Sequence, residues 1–495
     1  MTFNFRLPEK INYSIILLIA VVLFVLQMLA GSDFLFSSLI FLFVVISLST
    51  VNLLGGLRNI NGFSVFMLAL KLVILSQFFK VYFWQPADSF LLVPEITAGV
   101  ILLGFSSIFI AAWVTGRIDF RNIIIKPILS SQQLLRMGII AFLIGTISVA
   151  YNYFSGFDPE TADIRAGGLI GVARQMGILL PFSIVCATAY KIISSNYRKS
   201  FGLIVLIPML TEFAFGISVG SKQIAFESVF YYFLTCLAFR YPFRIKHLAA
   251  GFFSALLAIM VLYPLAQLTK DIFDRMRESP VARTSIFLDA IFRLDYEGLS
   301  NLYEKYAEED ETTYQYYGTN NEILNRFSLI WMADQLIAVT IDKGEEGWTT
   351  ITHGFKMILP RFIYPDKPNY NTGNYLGQKI GMVWVGDQTT QISFGLIPES
   401  FCCFSWIGVM LIPFILTLLF FIVYNKLVGS IEYNIWAIFL AGRFQHNFVE
   451  ETISGWLLMV VQLPLIILAL YYVFTKLSSI SGKIRVVKNQ SSGIT

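Results

Sequence analysis

The chain has 495 residues, of which 56% are hydrophobic and only 14% charged, and its mean hydropathy is +0.68. Soluble domains carry about a quarter charged residues, so this composition excludes a soluble globular protein and specifies a polytopic membrane protein. The net charge of +4 includes no basic patch interleaved with aromatics on a soluble domain, which excludes nucleic acid as a partner.

Arg6 and Lys10 precede the first apolar run, and no small-residue cleavage site closes that run, so it reads as a retained span rather than a signal peptide. Windows of about twenty apolar residues give about twelve spans. In chain order they are Ile11 to Ala30, Asp33 to Leu54, Phe63 to Trp84, Leu92 to Thr115, Gln132 to Phe154, Leu169 to Ile193, Phe201 to Val219, Gln223 to Phe239 and His247 to Leu268, then Phe404 to Val428, Tyr433 to Val449 and Ile453 to Lys476. The expected organisation is nine spans in residues 1–270, one large loop in 271–403, three spans in 404–477 and a basic tail in 478–495.

Charge sorts the connections. With the N-terminus inside, the inner segments hold Arg58, Arg117, Arg121, Lys126, Lys191, Arg198, Arg240, Arg244 and Lys426, while the short outer loops hold Asp33, Asp88, Glu95, Asp158, Glu160, Glu450 and Glu451. Cytoplasmic loops collect Lys and Arg, so both termini are expected inside and the large loop outside, the arrangement of a multi-pass protein surrounded by membrane lipids. The cysteines, Cys186, Cys236, Cys402 and Cys403, form no CxxC pattern, and the adjacent pair makes a poor disulfide; they read as packing residues.

The large loop opens with alternating charges from Lys270 to Glu278. A surface helix is expected over Arg283 to Lys305, a solvated turn at Glu308 to Glu311, and a second helix over Asn320 to Val339 with Arg326 and Asp334 at polar positions. Gly344, Gly347, Gly354 and the prolines then predict irregular backbone. Pro360, Pro365 and Pro368 rule out a single helix from His353 to Pro368, and a shaped turn carrying Arg361, Asp366 and Lys367 beside lipid can grip an anionic group. The alternative is a chain reversal whose charges sit in water.

Further charges stand where lipid makes them costly, and such groups tend to face a functional cavity. Arg165 and Arg174 flank the start of the sixth span, Lys222 and Glu227 open the eighth, and Arg443, Gln445 and His446 precede Glu450 and Glu451 in the eleventh. Snorkelling of Lys222 and Arg165, and a packing role for His446, remain open. Glu212, Lys71 and Lys80 are candidates for structural pairs, and His353 stands at an expected exposed turn. The three histidines fall on different segments, and no HExxH, GxSxG or Walker sequence exists, so no metal site and no cofactor are expected.

The arrangement resembles the Wzy-type oligosaccharide repeat-unit polymerases that build O-antigen and exopolysaccharide, relatives of the O-antigen ligases. The resemblance rests on about twelve spans with one large outer loop, on Leu359-Pro360-Arg361-Phe362-Ile363-Tyr364-Pro365-Asp366-Lys367-Pro368, on Gly395-Leu396-Ile397-Pro398-Glu399-Ser400, and on Gly220-Ser221-Lys222, where the family often has arginine in place of the lysine. Members carry an Arg and a Gly at a fixed separation in their third and fifth outer loops; here both separations, Arg165 to Gly177 and Arg361 to Gly373, are one residue longer.

The resemblance implies an all-α, GT-C-like membrane fold and a metal-independent glycosyltransferase. Its substrates would be undecaprenyl-diphosphate-linked oligosaccharides, and a chain-length regulator protein would be a further partner. It implies Arg361, Lys367, Lys222, Arg165, Arg174 and Arg326 as diphosphate or glycan ligands, with Glu399, Asp366 or His446 as the base on the acceptor hydroxyl. The alternatives are an O-antigen ligase, which would use His353, and a transporter or flippase of lipid-linked sugars, which would favour internal repeats and short loops.

Overall fold

The computed structural model describes residues 2–3, 5–120, 122–154, 176–218, 221–244, 285, 289, 316–317, 328–359, 364, 372–387 and 390–490. The expected span His247 to Leu268, the helix over Arg283 to Lys305 apart from Ser285 and Asp289, and the tract Glu308 to Glu311 lie outside these residues.

The described chain is helical almost throughout. Eight helices come first: α1 Tyr13–Leu29, α2 Phe34–Leu53, α3 Ile60–Tyr82, α4 Pro94–Thr115, α5 Ser131–Phe154, α6 Leu179–Ser194, α7 Leu203–Ser218 and α8 Lys222–Ala238. Three short ones follow, α9 Leu329–Lys343, α10 Thr349–Ile358 and α11 Thr372–Lys379, and then α12 Leu396–Leu427, α13 Ile435–Glu450 and α14 Ile453–Gln490. A two-residue antiparallel pairing of Thr2–Phe3 with Phe243–Arg244 ties the first residues to the end of α8.

Among the described residues six helices, α2, α3, α4, α5, α12 and the Ile453–Leu477 part of α14, are long and apolar enough to cross a membrane, and α1, α6 and α7 are shorter apolar helices. The chain is a helical membrane protein. In lipid each spanning backbone must satisfy its own hydrogen bonds, which is why apolar runs become helices here with little help from partners. Capping then sets the starts: Asp33 accepts Phe36 N–H at 2.9 Å, and Asn434 accepts Trp436 N–H at 3.2 Å. One continuous core of buried aliphatic and aromatic side chains runs through the bundle.

The two ends of the bundle differ. At one end Arg58 binds Glu432 at 2.8 Å and also meets Glu9, Arg240 grips the same Glu432 with bonds of 2.8 and 3.1 Å, and Ile124 and Ile125 N–H donate to the Lys426 and Leu427 carbonyls. The other end receives α9, α10 and α11. There Leu336, Leu376, Val383, Ile392, Phe394 and Cys402 form a second small core joining α9 and α11 to α12. Glu346 bonds Lys379 at 2.7 Å and accepts Tyr375 O–H at 2.6 Å, locking the α9–α10 turn to α11. Burial pushes the Glu346 carboxyl up, but these two bonds outweigh it and leave the group below its ordinary range.

Three expectations are corrected. The helix expected over Asn320 to Val339 starts only at Leu329, after a non-helical Ser328, and continues to Lys343, where Gly344 ends it at φ +91; residues 320–327 lie outside the described ones. The irregular backbone expected around Gly354 is instead the regular helix α10, and His353 is buried within it rather than exposed. The reason is tertiary: a Cβ on Gly354 would stand 2.8 Å from Leu457 Cδ1 and 3.1 Å from Ser454 Cα, so this glycine permits close packing of α10 on α14 instead of making a turn. The tenth span, expected from Phe404, is preceded by a further helical arm. Helical structure begins at Leu396 and breaks at Phe404 (φ −145°, ψ 35°) and Ser405 (φ 49°, ψ −138°), and a Cβ on Gly408 would lie 2.1 Å from the Ser400 carbonyl oxygen. The arm Leu396–Cys403 therefore doubles back on the arm that follows.

A candidate intramembrane active site

The fold-back carries polar groups below the rim of the bundle. Ile397 packs where a Cβ of Gly104 would be, 2.7 Å away, and Gly104 is about ten residues, roughly 15 Å, along α4 from its start. Two residues on from Ile397, Glu399 accepts Ile453 N–H through Oε2 at 2.6 Å, at the first residue of α14. Glu399 is fully buried, and its Oε1 has no hydrogen-bond partner among the described residues. The helix N-terminus supplies positive potential to this carboxyl.

Beside it, α13 presents Arg443, His446, Asn447, Glu450 and, at its C-cap, Glu451, all half-buried. Residues three and four apart share a helix face, so these side chains form one polar stripe. His446 Nδ1 lies 3.0 Å from Glu450 Oε1, and Lys71 Nζ lies 3.7 Å from the same oxygen. The three side chains are 23 to 30% exposed, so none is sealed in the core. The Ser393 hydroxyl also bonds Glu450. The carboxylate fixes the Nδ1–H tautomer of His446 and frees Nε2 to take a proton.

Lys71 reaches this place by a local irregularity. Leu70–Ile74 is one turn of π-helix inside α3, which rotates Lys71 relative to a regular helix. Such bulges recur at functional sites because they re-aim one side chain without ending the helix.

Behind the groove, Glu212 and Glu227 are buried and feel the positive charge of Arg443. Tyr231, one turn from Glu227, lies flat against α13 where Gly442 has no side chain; a Cβ there would stand 2.0 Å from the ring. Its hydroxyl is 3.4 Å from the Phe439 carbonyl, a long bond, so Glu227 is the better acceptor. Glu212 Oε2 has no partner among the described residues.

On the rim, Asp334 of α9 is fully buried and accepts Leu92 N–H at 2.6 Å, Val93 N–H at 3.1 Å and Thr97 O–H at 2.8 Å. It caps α4 from another helix, since Val93 at the N-cap position has no side-chain bond of its own. Burial pushes its carboxyl up and the three donors hold it back. Lys80 donates to Ser89 Oγ at 2.7 Å and Ser89 O at 3.1 Å and lies over the Tyr316 ring, a structural role.

Of the residues expected at the site, His446 and Glu399 are described and lie at the same end of the bundle. Lys222 is the first residue of α8, directly after the Ser221 cap; Arg361, Asp366, Lys367, Arg165, Arg174 and Arg326 lie outside the described residues. Lys71, expected only as half of a structural pair, joins the His446–Glu450 pair, and its one sequence signal is a lysine inside an apolar span. Asp334 gave no signal beyond a polar helix position. The four cysteines are free and buried, as packing residues are. Among the described residues no group of three or more His, Cys, Asp or Glu is arranged to hold a metal ion. Comparison with known proteins returned nothing: no family model, no curated protein and no solved structure matches the chain.

Proposed function

We propose that this chain is a repeat-unit polymerase, which moves a growing glycan from polyprenyl diphosphate onto a sugar hydroxyl of a second lipid-linked repeat unit. The observation that carries this reading is the half-buried stripe on α13: His446 oriented by Glu450, with Lys71 beside them and Arg443 one turn away. A base and two fixed cations within one groove suit a transfer whose leaving group is an anion. Ionised groups at membrane depth are costly unless they serve a wet site.

In this reading the acceptor oxygen attacks the anomeric carbon and its proton passes to Nε2 of His446. The bond from that carbon to the diphosphate oxygen breaks, and its electron pair leaves with the lipid diphosphate. Lys71 and Arg443 stabilise the charge gathering there, joined by Arg361, Lys367, Lys222, Arg165, Arg174 and Arg326. We assign the base to His446 rather than to Glu399, because Glu399 is sealed against α14, or to Asp366.

The same reading includes about twelve spans, both termini in the cytoplasm and the large loop outside, in a bacterial inner membrane. Its support is the gathering of Arg58, Arg240 and Lys426 at the end opposite the groove. A ligase would rely on His353, which is buried in α10.

The test is the purified protein in lipid nanodiscs with synthetic undecaprenyl-diphosphate-linked repeat units. The expected product is a ladder of longer lipid-linked glycans. Movement of substrate across a vesicle bilayer without new glycosidic bonds would make the protein a transporter, and transfer only to a lipid A core would make it a ligase.

A further inference from the structure

The loop expected over 271–403 reads from its polarity as material lying outside the membrane. The placement of α10 contradicts this. α10 runs alongside the start of α14: Gly354 abuts Ser454 and Leu457, and Gln462 Nε2 donates to the carbonyl of Ile358, the last residue of α10. The first residue of α11, Thr372, is back at the level of Ser454, its hydroxyl 3.3 Å from that of Ser454. Ile453–Leu477 is itself a candidate span. Gln462 lies about nine residues, roughly 13 Å, along it from Ile453. α10 thus descends beside a membrane helix, and at Thr372 the chain is again at the level of Gly354.

We propose that α10 is a re-entrant helix whose outer face, Phe355 and Leu359, lies against the acyl chains of the bilayer, below Trp348 at its upper end.

The composition of the two faces fits one occupant. Ile351, His353 and Gly354 are buried toward the protein, whereas Phe355 is 57% and Leu359 43% exposed. These two exposed side chains are one turn apart and continue the apolar surface of α14, which exposes Val461 and Leu465. Trp348, 66% exposed and packed edge-on to Phe404, suits the headgroup boundary. Lys356 shares the exposed side. Side chains on a helix lean toward its N-terminus, so the Lys356 ammonium is carried back up toward the rim, as a snorkelling lysine requires. The hydrogen bond from Gln462 answers a second demand of the apolar layer: a helix ending inside it leaves carbonyls that only protein can satisfy.

This inference rests on the membrane character of the chain and not on the polymerase reading. The four native cysteines are buried, so new thiols report by themselves. Phe355→Cys and Leu359→Cys, in the full-length protein in nanodiscs, are expected to lose labelling by a charged, membrane-impermeant maleimide. Glu345→Cys, on the exposed turn before α10, is expected to label fully. Labelling of both new thiols at the Glu345→Cys rate would overturn the proposal. The unsubstituted protein provides a second measurement that needs no variant to fold. Reconstituted with lipids bearing a diazirine on the acyl chain, it is expected to crosslink within residues 349–359. Crosslinks in α1 with none in α10 would refute the embedding.

Discussion

Replacing Asp334 tests whether one buried carboxylate holds the rim of the site together. The carboxylate is fully buried and accepts Leu92 N–H, Val93 N–H and Thr97 O–H, all at the start of α4. In Asp334→Ala the Thr97 hydroxyl can turn to a backbone carbonyl in its own helix, but the N–H groups of the exposed Leu92 and the half-buried Val93 lose their acceptor. Losing two hydrogen bonds to a charged acceptor at this half-buried rim costs about 1–2 kcal/mol each, so the substitution is expected to cost about 2–4 kcal/mol. Asp334→Asn keeps one acceptor oxygen and turns an NH2 toward a donor, for about half that loss. Unfolding by SDS titration in mixed micelles gives the free energies. Exchange of the Leu92 and Val93 amides in Asp334→Ala is expected to speed up by about a hundredfold, since every 1.4 kcal/mol is tenfold. α9 also touches the π turn that carries Lys71, so turnover is expected to fall along with stability. Both variants within about 0.5 kcal/mol of the parent, the range of an ordinary surface change, would refute the cap.

His446→Ala is expected to lower kcat by about 10²–10⁴ with little change in KM, as loss of a general base does, measured by glycan ladder formation. Glu450→Gln is expected to lose less, because the imidazole remains and only its orientation suffers; an equal loss would mean that Glu450 itself takes the proton. Polymer length unchanged in Arg361→Ala at normal protein level would remove that arginine from the diphosphate site. Gly354→Val is expected to destabilise by about 1–3 kcal/mol through overpacking of α10 on α14, read by the same SDS titration. For Glu346, held below its ordinary carboxylate range by Lys379 and Tyr375, the contribution to folding is present above the ordinary value of 4.5 and is lost as pH falls through the lower folded value. The stability difference between the parent and Glu346→Gln is therefore expected to be full at about pH 6 and to close on acidification below about pH 4.

The polar stripe of α13 was legible because helix periodicity is local: Arg443, His446 and Glu450 are spaced for one face whatever surrounds them. Lys71 was legible only as an anomaly, a charge in an apolar run. Its partner is hundreds of residues away in the chain, and the π turn that aims it has no sequence mark. The opposite error was made at Gly354, where a glycine after a histidine suggests a turn. Only the nearness of Leu457 and Ser454 shows that it makes room for a neighbouring helix. As a carboxyl ahead of a span Glu399 has the sequence signal of a base; its bond to the first turn of α14 gives it a positioning role instead.

The sequence by itself determined that this is a helical membrane protein, and it located most helices to within a few residues. It could do so because lipid offers the backbone no partners, so each apolar run must close its own hydrogen bonds within itself. The tertiary structure alone decided how deep each polar group lies and which charges meet: Lys71 with Glu450, Asp334 with the start of α4, Glu399 with the start of α14, and α10 beside α14. Those pairings join segments far apart in the chain. Their energies come from desolvation and geometry at the meeting point, which no local pattern encodes.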